Sequence, residues 1–149
     1  MRRSLRVKNV PVLDPSCPFC AIVSGDAPAH VVLRDETAVA FLDRRPVFKG
    51  HVLLVPSDHV NTLLDLDTPA IGPFFERGRR IAAAMESGLG AMGSFVAINN
   101  RISQSVPHLH LHVVPRRRKD GLRGFFWPRT AYESEAEMAD YAARLREHT

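Results

Sequence analysis

Three histidines stand at alternate positions in "QSVPHLHLHVV", residues 104–114: His108, His110 and His112. In an extended strand alternate side chains share a face, with neighbouring imidazoles starting roughly 6.5 Å apart. Leu109, Leu111 and Val113 then form an apolar opposite face, which places the run in a packed sheet. Imidazole serves as nucleophile, acid, base or metal ligand near neutral pH. Three parallel rings on one strand converge poorly on a single ion with bonds of about 2 Å. A split of labour suits them better. The "CPFC" pair, Cys17 and Cys20, supplies half of a tetrahedral metal site, and two histidines commonly complete such a set. His59, in "VPSDHV", and His108 are candidates for that completion, although seven histidines offer many pairings. His110 and His112 suit nucleophilic attack on phosphorus through a covalent phosphoramidate that water later opens. Such chemistry needs donors for the equatorial phosphoryl oxygens. His112, His51, Ser105 and the backbone of "RISQS" are placed to supply them. No Walker glycine loop is present, so the phosphate site is of another kind.

The elements that must hold these groups are short strands around one long helix. After the CxxC segment, read as a turn, "HVVLRD" (30–35) and "TAVAFLD" (37–43) read as a hairpin. "HVLLVP" (51–56) is a third strand, too continuously apolar to face water. Thr68 is expected to cap the main helix, with Pro69 at its first position and residues 76–85 as its body. Pro73 is expected to confine regular helix to the residues beyond it, and Gly88 and Gly90 to stop it. "SFVAINN" (94–100) is a fourth strand and "HLHLHVV" (108–114) the fifth. The chain ends in a helix capped by Ser134, with Glu137 at its third position. This pattern predicts an α+β fold with a five-stranded, largely antiparallel sheet, one main helix and a C-terminal helix.

At 149 residues the chain is read as one domain, 15–149, after a basic tail over 1–14, with a basic C-terminal extension over 116–149. No apolar run approaches bilayer length, so no membrane association is expected. "MRRSLRVKNV" lacks the apolar core and cleavage site of a secretory signal, which points to the cytoplasm. The net charge of +4 is concentrated in "RRRKDGLRGFFWPR" (116–129). That segment suits a phosphate-bearing partner, or is simply a solvated edge.

The residues resemble the histidine triad (HIT) superfamily. "HLHLHVV" fits its alternating His-apolar signature, "QSVPHLHLHVVPR" the extended form, and "CPFCAIVSGDAPAHVVLRDETAVAFLDRRPVFKGHVLLVPSDHV" its amino-terminal half, about two-thirds of the chain in all. The resemblance implies a nucleotide-binding or hydrolase branch with structural zinc. It also implies a homodimer joined through the main helix and a sheet edge, and a purine nucleotide held against the sheet. By resemblance His110 is the nucleophile that becomes nucleotidylated, His112 contacts the α-phosphate, and Ser105 reaches the leaving group. His51 is then a further active-site histidine. Asp43 would accept the ribose hydroxyls, as suits a vicinal diol. Phe41, Phe19 and Ile22 would flank the base, their alternative being plain core. Asn99 would lie near the phosphate, and Gln104 joins the nucleotide-binding set. The zinc ligands by resemblance are Cys17, Cys20, His59 and His108. With four protein ligands the zinc would be structural.

Two departures bear on specificity. "NNRISQSV" is shorter than the glycine-rich loop common in the family and contains no glycine, and Arg44 follows Asp43 where an apolar residue is frequent. Pro107 also restricts Val106 to extended geometry at the entry to the triad. The expected reaction is nucleotidyl hydrolysis or transfer from dinucleoside polyphosphates or nucleoside phosphoramidates. The alternatives are a low-turnover nucleotide-binding module acting through partners, removal of adenylate from DNA ends, and a redox pair at "CPFC". Nucleic acid is not the expected partner, since no additional nucleic-acid domain accompanies the basic stretch.

Overall fold

The apolar run after Gly50 lies at the middle of a sheet. In the computed structural model, which describes residues 10–122 and 130–149, five strands form: β1 (Val31–Arg34), β2 (Ala38–Leu42), β3 (Val52–Pro56), β4 (Gly93–Ile98) and β5 (Leu111–Arg116). Their order is β1-β2-β3-β5-β4 and every neighbouring pair is antiparallel. The expected fold class is therefore observed. The chain divides into two compact units, Met1–Arg118 and Lys119–Thr149.

In the first unit, β3 is buried at every position, because both faces of the central sheet are covered. Helix α2 (Thr68–Leu89) lies on one face. Its Phe74, Ile81 and Met85 pack with Ala38, Ala40, Leu54, Leu109, Leu111 and Val113, each large side chain contributing about 1.5–3 kcal/mol of burial. On the other face Val39, Phe41, Leu53 and Val55 cluster with Val23, Phe19 and Ile22 of a short helix, α1 (Pro18–Ser24). Helix and sheet meet closely at Gly78, where an added Cβ would stand 2.6 Å from Leu111 Cδ2.

Four local expectations are corrected. The segment after Cys17 is a helix rather than a turn, with Pro18 in its first turn and Gly25 left-handed (φ 86°) at its end. Thr68 is already helical, with Asp67 in the capping position. Pro73 does not shorten α2, which runs from Thr68 through it; it removes one hydrogen bond in an otherwise well-packed helix. The fifth strand starts at Leu111, not His108. Ahead of it His108 N–H bonds Val106 O and Leu109 N–H bonds Val60 O, so the chain has not yet joined the β3 ladder.

In the second unit, α3 (Glu135–Arg146) is capped by Ser134, whose Oγ accepts from Glu137 N–H at 3.1 Å. Trp127 and its neighbours over 123–129 lie outside the described residues. Among the described residues no helix is long and apolar enough to cross a membrane.

Candidate active site and metal centre

Helix α1 is capped by Cys17, whose Sγ accepts the N–H of Cys20 at 3.4 Å. One helical turn thus brings both sulfurs to one side. His59, in the turn after β3, and His108, ahead of β5, complete a group whose ligand atoms all lie within 4.8 Å of one another. His108 Nδ1 is 3.4 Å from Cys17 Sγ and 3.5 Å from Cys20 Sγ, and His59 Nδ1 is 3.2 Å from Cys20 Sγ. Tetrahedral zinc with bonds of about 2.0–2.3 Å separates its ligand atoms by about 3.3–3.8 Å. The spacing fits.

The protonation chemistry fits as well. His108 Nε2 lies 3.1 Å from the Pro56 carbonyl and His59 Nε2 lies 2.9 Å from Asn61 Oδ1. Each acceptor fixes the ring proton on Nε2 and leaves Nδ1 free to ligate. Burial pushes His108 down to about 4, so this imidazole is neutral. Burial also pushes the Cys20 thiol up to about 11, partly offset by the Asp14 N–H that its sulfur accepts at 3.4 Å. A cation is what such a buried thiolate calls for. The turn is tied down from upstream, since Val12 N–H bonds Asp58 Oδ1 and Val12 O accepts from His59 N–H.

A cleft opens beside this centre, on the α1 side of the sheet. It is lined by His110 and His112, Ser105, Asp43 and Arg44, with Phe19, Ile22 and Phe41. His110 is buried, and its Nδ1 donates to the carbonyl of His108 at 2.7 Å. Its proton therefore sits on Nδ1 and its lone pair on Nε2. Phe19 packs edge-on against His110 and Phe41, with centroid distances of 5.3 and 5.4 Å.

His112 and His51 form a second relay. Val47 N–H donates to His51 Nδ1 at 3.1 Å, so the His51 proton is on Nε2. That Nε2 lies 3.0 Å from His112 Nδ1, which must accept. The remaining proton of neutral His112 is then on Nε2. Burial, with His110 and His51 close by, pushes His112 down to about 4. Burial lowers His51 too, opposed by Asp43, whose Oδ2 is 3.8 Å from its Nδ1. Gly50 adjoins this relay in a left-handed conformation (φ 100°), and an added Cβ would meet Leu89 Cδ1 at 2.6 Å.

Three residues of the sequence-derived catalytic and nucleotide-binding set do not line the cleft: Asn99, Gln104 and His51, which meets it only through its bond to His112. Asn99 is exposed just past β4. Gln104 has both polar ends engaged: Oε1 accepts from Arg101 N–H at 2.8 Å, and Nε2 donates to the Asn61 carbonyl at 2.6 Å. Sequence reasoning missed the cleft residues Pro28, Ala29, His30, Leu42 and Leu53. Only Leu53 carried a signal, because it alternates with His51 on the third apolar run.

Residues 24–119 match the HIT domain family. The chain belongs to the HIT family. A HIT family protein from Bacillus subtilis superposes with a TM-score of 0.82 at 31% identity, covering 90% of this chain and 97% of that one. A zinc-bound histidine triad family protein from Mycobacterium smegmatis has a TM-score of 0.69 at 40% identity, covering 90% and 98%. Among sequence relatives, the adenosine 5'-monophosphoramidase of Schizosaccharomyces pombe is 32% identical over 115 residues, 76% of this chain and 84% of that one. An adenylylsulfatase of Arabidopsis thaliana is 28% identical over 112 residues, 74% of this chain and 57% of the relative.

Proposed function

We propose that this HIT protein is a nucleotidyl hydrolase or transferase acting on the α-phosphate of purine nucleotides through a nucleotidyl-His110 intermediate. The observation that carries the reading is the 2.7 Å bond from His110 Nδ1 to the His108 carbonyl. It leaves an unprotonated Nε2 on a buried ring at the cleft wall, the form an attacking imidazole needs. The relatives named for cleaving an adenylyl phosphoramidate and an adenylyl sulfate support the substrate class. Dinucleoside polyphosphates share the same α-phosphorus.

In the proposed reaction the His110 Nε2 lone pair forms a bond to phosphorus as the bond to the leaving group breaks. A phosphoramidate nitrogen that enters protonated leaves as a neutral amine, and a sulfate or phosphate leaves as an anion. Neither requires a proton from the protein. The Nε2–H of His112 donates to a phosphoryl oxygen, where charge accumulates, and the Ser105 hydroxyl donates to the departing atom. Water then attacks phosphorus, the P–N bond breaks, and one water proton passes to solvent or to the released amine. His110 regains its lone pair. Asp43 takes the ribose hydroxyls, and Phe41, Phe19 and Ile22 enclose the base.

Cys17, Cys20, His59 and His108 would hold zinc, whose contribution is to cross-link α1, the turn after β3 and the entry to β5. With four protein ligands it has no part in bond breaking. Two free thiols set to bind metal suit the reducing cytoplasm. The proposed homodimer would use the sheet edge at β4, where Val96 is exposed.

The deciding experiment is intact-protein mass after brief incubation with adenosine phosphoramidate or diadenosine tetraphosphate, quenched at alkaline pH, where a phosphoramidate bond survives. An adenylate adduct on the wild type and none on His110→Ala is the expected result. Tight nucleotide binding with neither adduct nor turnover for either compound would instead indicate a binding module.

A further inference from the structure

The two functional centres are joined by side chains that neither centre uses chemically. His59 faces the sulfurs with Nδ1, while its Nε2 donates to Asn61 Oδ1 at 2.9 Å. The Asn61 carbonyl accepts from Gln104 Nε2 at 2.6 Å, and Gln104 Oε1 accepts from Arg101 N–H at 2.8 Å. A parallel tie runs from Leu63 N–H to Asn100 Oδ1 at 2.9 Å. The loop held this way is the glycine-free one. Arg101 (φ 68°) and Ser103 (φ 60°) are both left-handed, a conformation that residues with a Cβ avoid unless their surroundings impose it. The next residue after Gln104 is Ser105, in the cleft lining, its Cα about 3.8 Å along the chain.

We propose that Gln104 is a positioning residue through which the metal-binding turn at His59–Asn61 holds the 101–105 loop, and with it Ser105, in place at the cleft. The inference rests on the nucleotidyl-transfer reading for what Ser105 does there. The bridge itself rests on the hydrogen bonds alone. Both polar atoms of Gln104 are bonded within the protein and the residue does not line the cleft, so its contribution passes through the loop. Metal bound at His59 fixes the ring that orients Asn61, Asn61 fixes the Gln104 amide, and that amide satisfies the strained Arg101 N–H. Losing the metal frees the first link, and losing the amide frees the last.

The test compares amide hydrogen exchange over residues 100–106 in zinc-loaded wild type, zinc-loaded Gln104→Ala and chelator-stripped wild type. Zinc content is measured on each, and so is turnover of adenosine phosphoramidate and of diadenosine tetraphosphate. The expected variant keeps its zinc, while exchange in the loop rises about tenfold, the ratio one net hydrogen bond carries. Stripping zinc from the wild type raises exchange in the same loop while the β2 and β3 amides keep their protection. In turnover, kcat of Gln104→Ala falls roughly tenfold to a hundredfold with KM changed by less than about twofold. Gln104→Glu keeps the acceptor for Arg101 N–H and loses the donor to Asn61. Its loop is expected to stay ordered but to stop responding to the chelator. Equal loop exchange in wild type and Gln104→Ala, or loop exchange indifferent to zinc removal, overturns the proposal. Wild type that shows the expected exchange pattern yet turns over neither adenosine phosphoramidate nor diadenosine tetraphosphate supports the bridge and sinks the nucleotidyl-transfer reading.

Discussion

The carbonyl oxygen of His108 lies 2.7 Å from Nδ1 of His110. One residue therefore faces two ways: its ring points at two cysteine sulfurs, while its backbone sets the tautomer of the neighbouring imidazole. Because the acceptor is a main-chain carbonyl, no side-chain substitution at 108 removes it. Any change in how the chain enters β5 will move it.

His51 acts on His112 by fixing a proton. Replacing His51 with alanine removes the donor to His112 Nδ1 and lets that ring take either tautomer. The expected outcome in the proposed reaction is a loss of kcat of about a hundredfold, the lower end of what a positioned proton donor supplies. Steady-state kinetics on folded His51→Ala checks it, and activity near wild type would remove His51 from the relay.

The depressed His112 value has a signed consequence for stability. Its folded value, about 4, lies below the ordinary 6.5, so the unfolded chain binds more protons between those limits. Stability should fall as pH drops from about 6.5 towards about 4 and should not change on this account above 6.5. Denaturant midpoints of zinc-loaded wild type and His112→Asn across that window test this. The variant should show the shallower slope, and parallel slopes would contradict it.

Zinc removal should lower thermal stability, since the four ligands come from three separate segments. A fall in Tm of roughly 10 °C, about 3 kcal/mol for a chain of this size, is expected on chelation. Both thiols should become reactive at the same time. A protein whose thiols titrate equally with and without chelator holds no metal there.

Gly78→Ala should destabilise the fold by about 1–3 kcal/mol, the cost of overpacking a dense core. The added methyl meets Leu111 Cδ2 at 2.6 Å, and Leu111 lies between His110 and His112. Chemical denaturation measures the loss. An unchanged midpoint would show that α2 can lift away freely.

Much of this molecule was legible in the chain. Strand existence followed from runs such as "HVLLVP", because burial on both sheet faces demands continuous apolar residues. Strand ends were not legible. Residues 108–110 carry the same alternation as the strand beyond them, yet the N–H groups of His108 and Leu109 bond Val106 and Val60, partners outside the sheet ladder. Helix α1 reads from sequence as a turn, although Pro18 and Gly25 bracket it, because seven residues give too short a span for helical periodicity to register. The Gln104 bridge was invisible for a related reason: Asn61 stands 43 positions away, and nothing local couples the two.

The sequence by itself determined which groups are available and their local spacing. His110 and His112 share a side because an extended chain alternates, and Cys17 and Cys20 share one because they stand a helical turn apart. Tertiary structure alone decided where each proton sits. A free imidazole can carry its proton on either nitrogen, and the choice is made by whichever acceptor or donor reaches one of them. Here those partners are the Pro56 and His108 carbonyls, Asn61 Oδ1 and Val47 N–H. Pro56 stands 52 positions from the ring it fixes, and only folding brings the two together. The other three partners are near in sequence, but the folded path of the backbone decides whether they point at the ring. That path turns four chemically identical rings into two that can ligate, one that can attack and one that can donate.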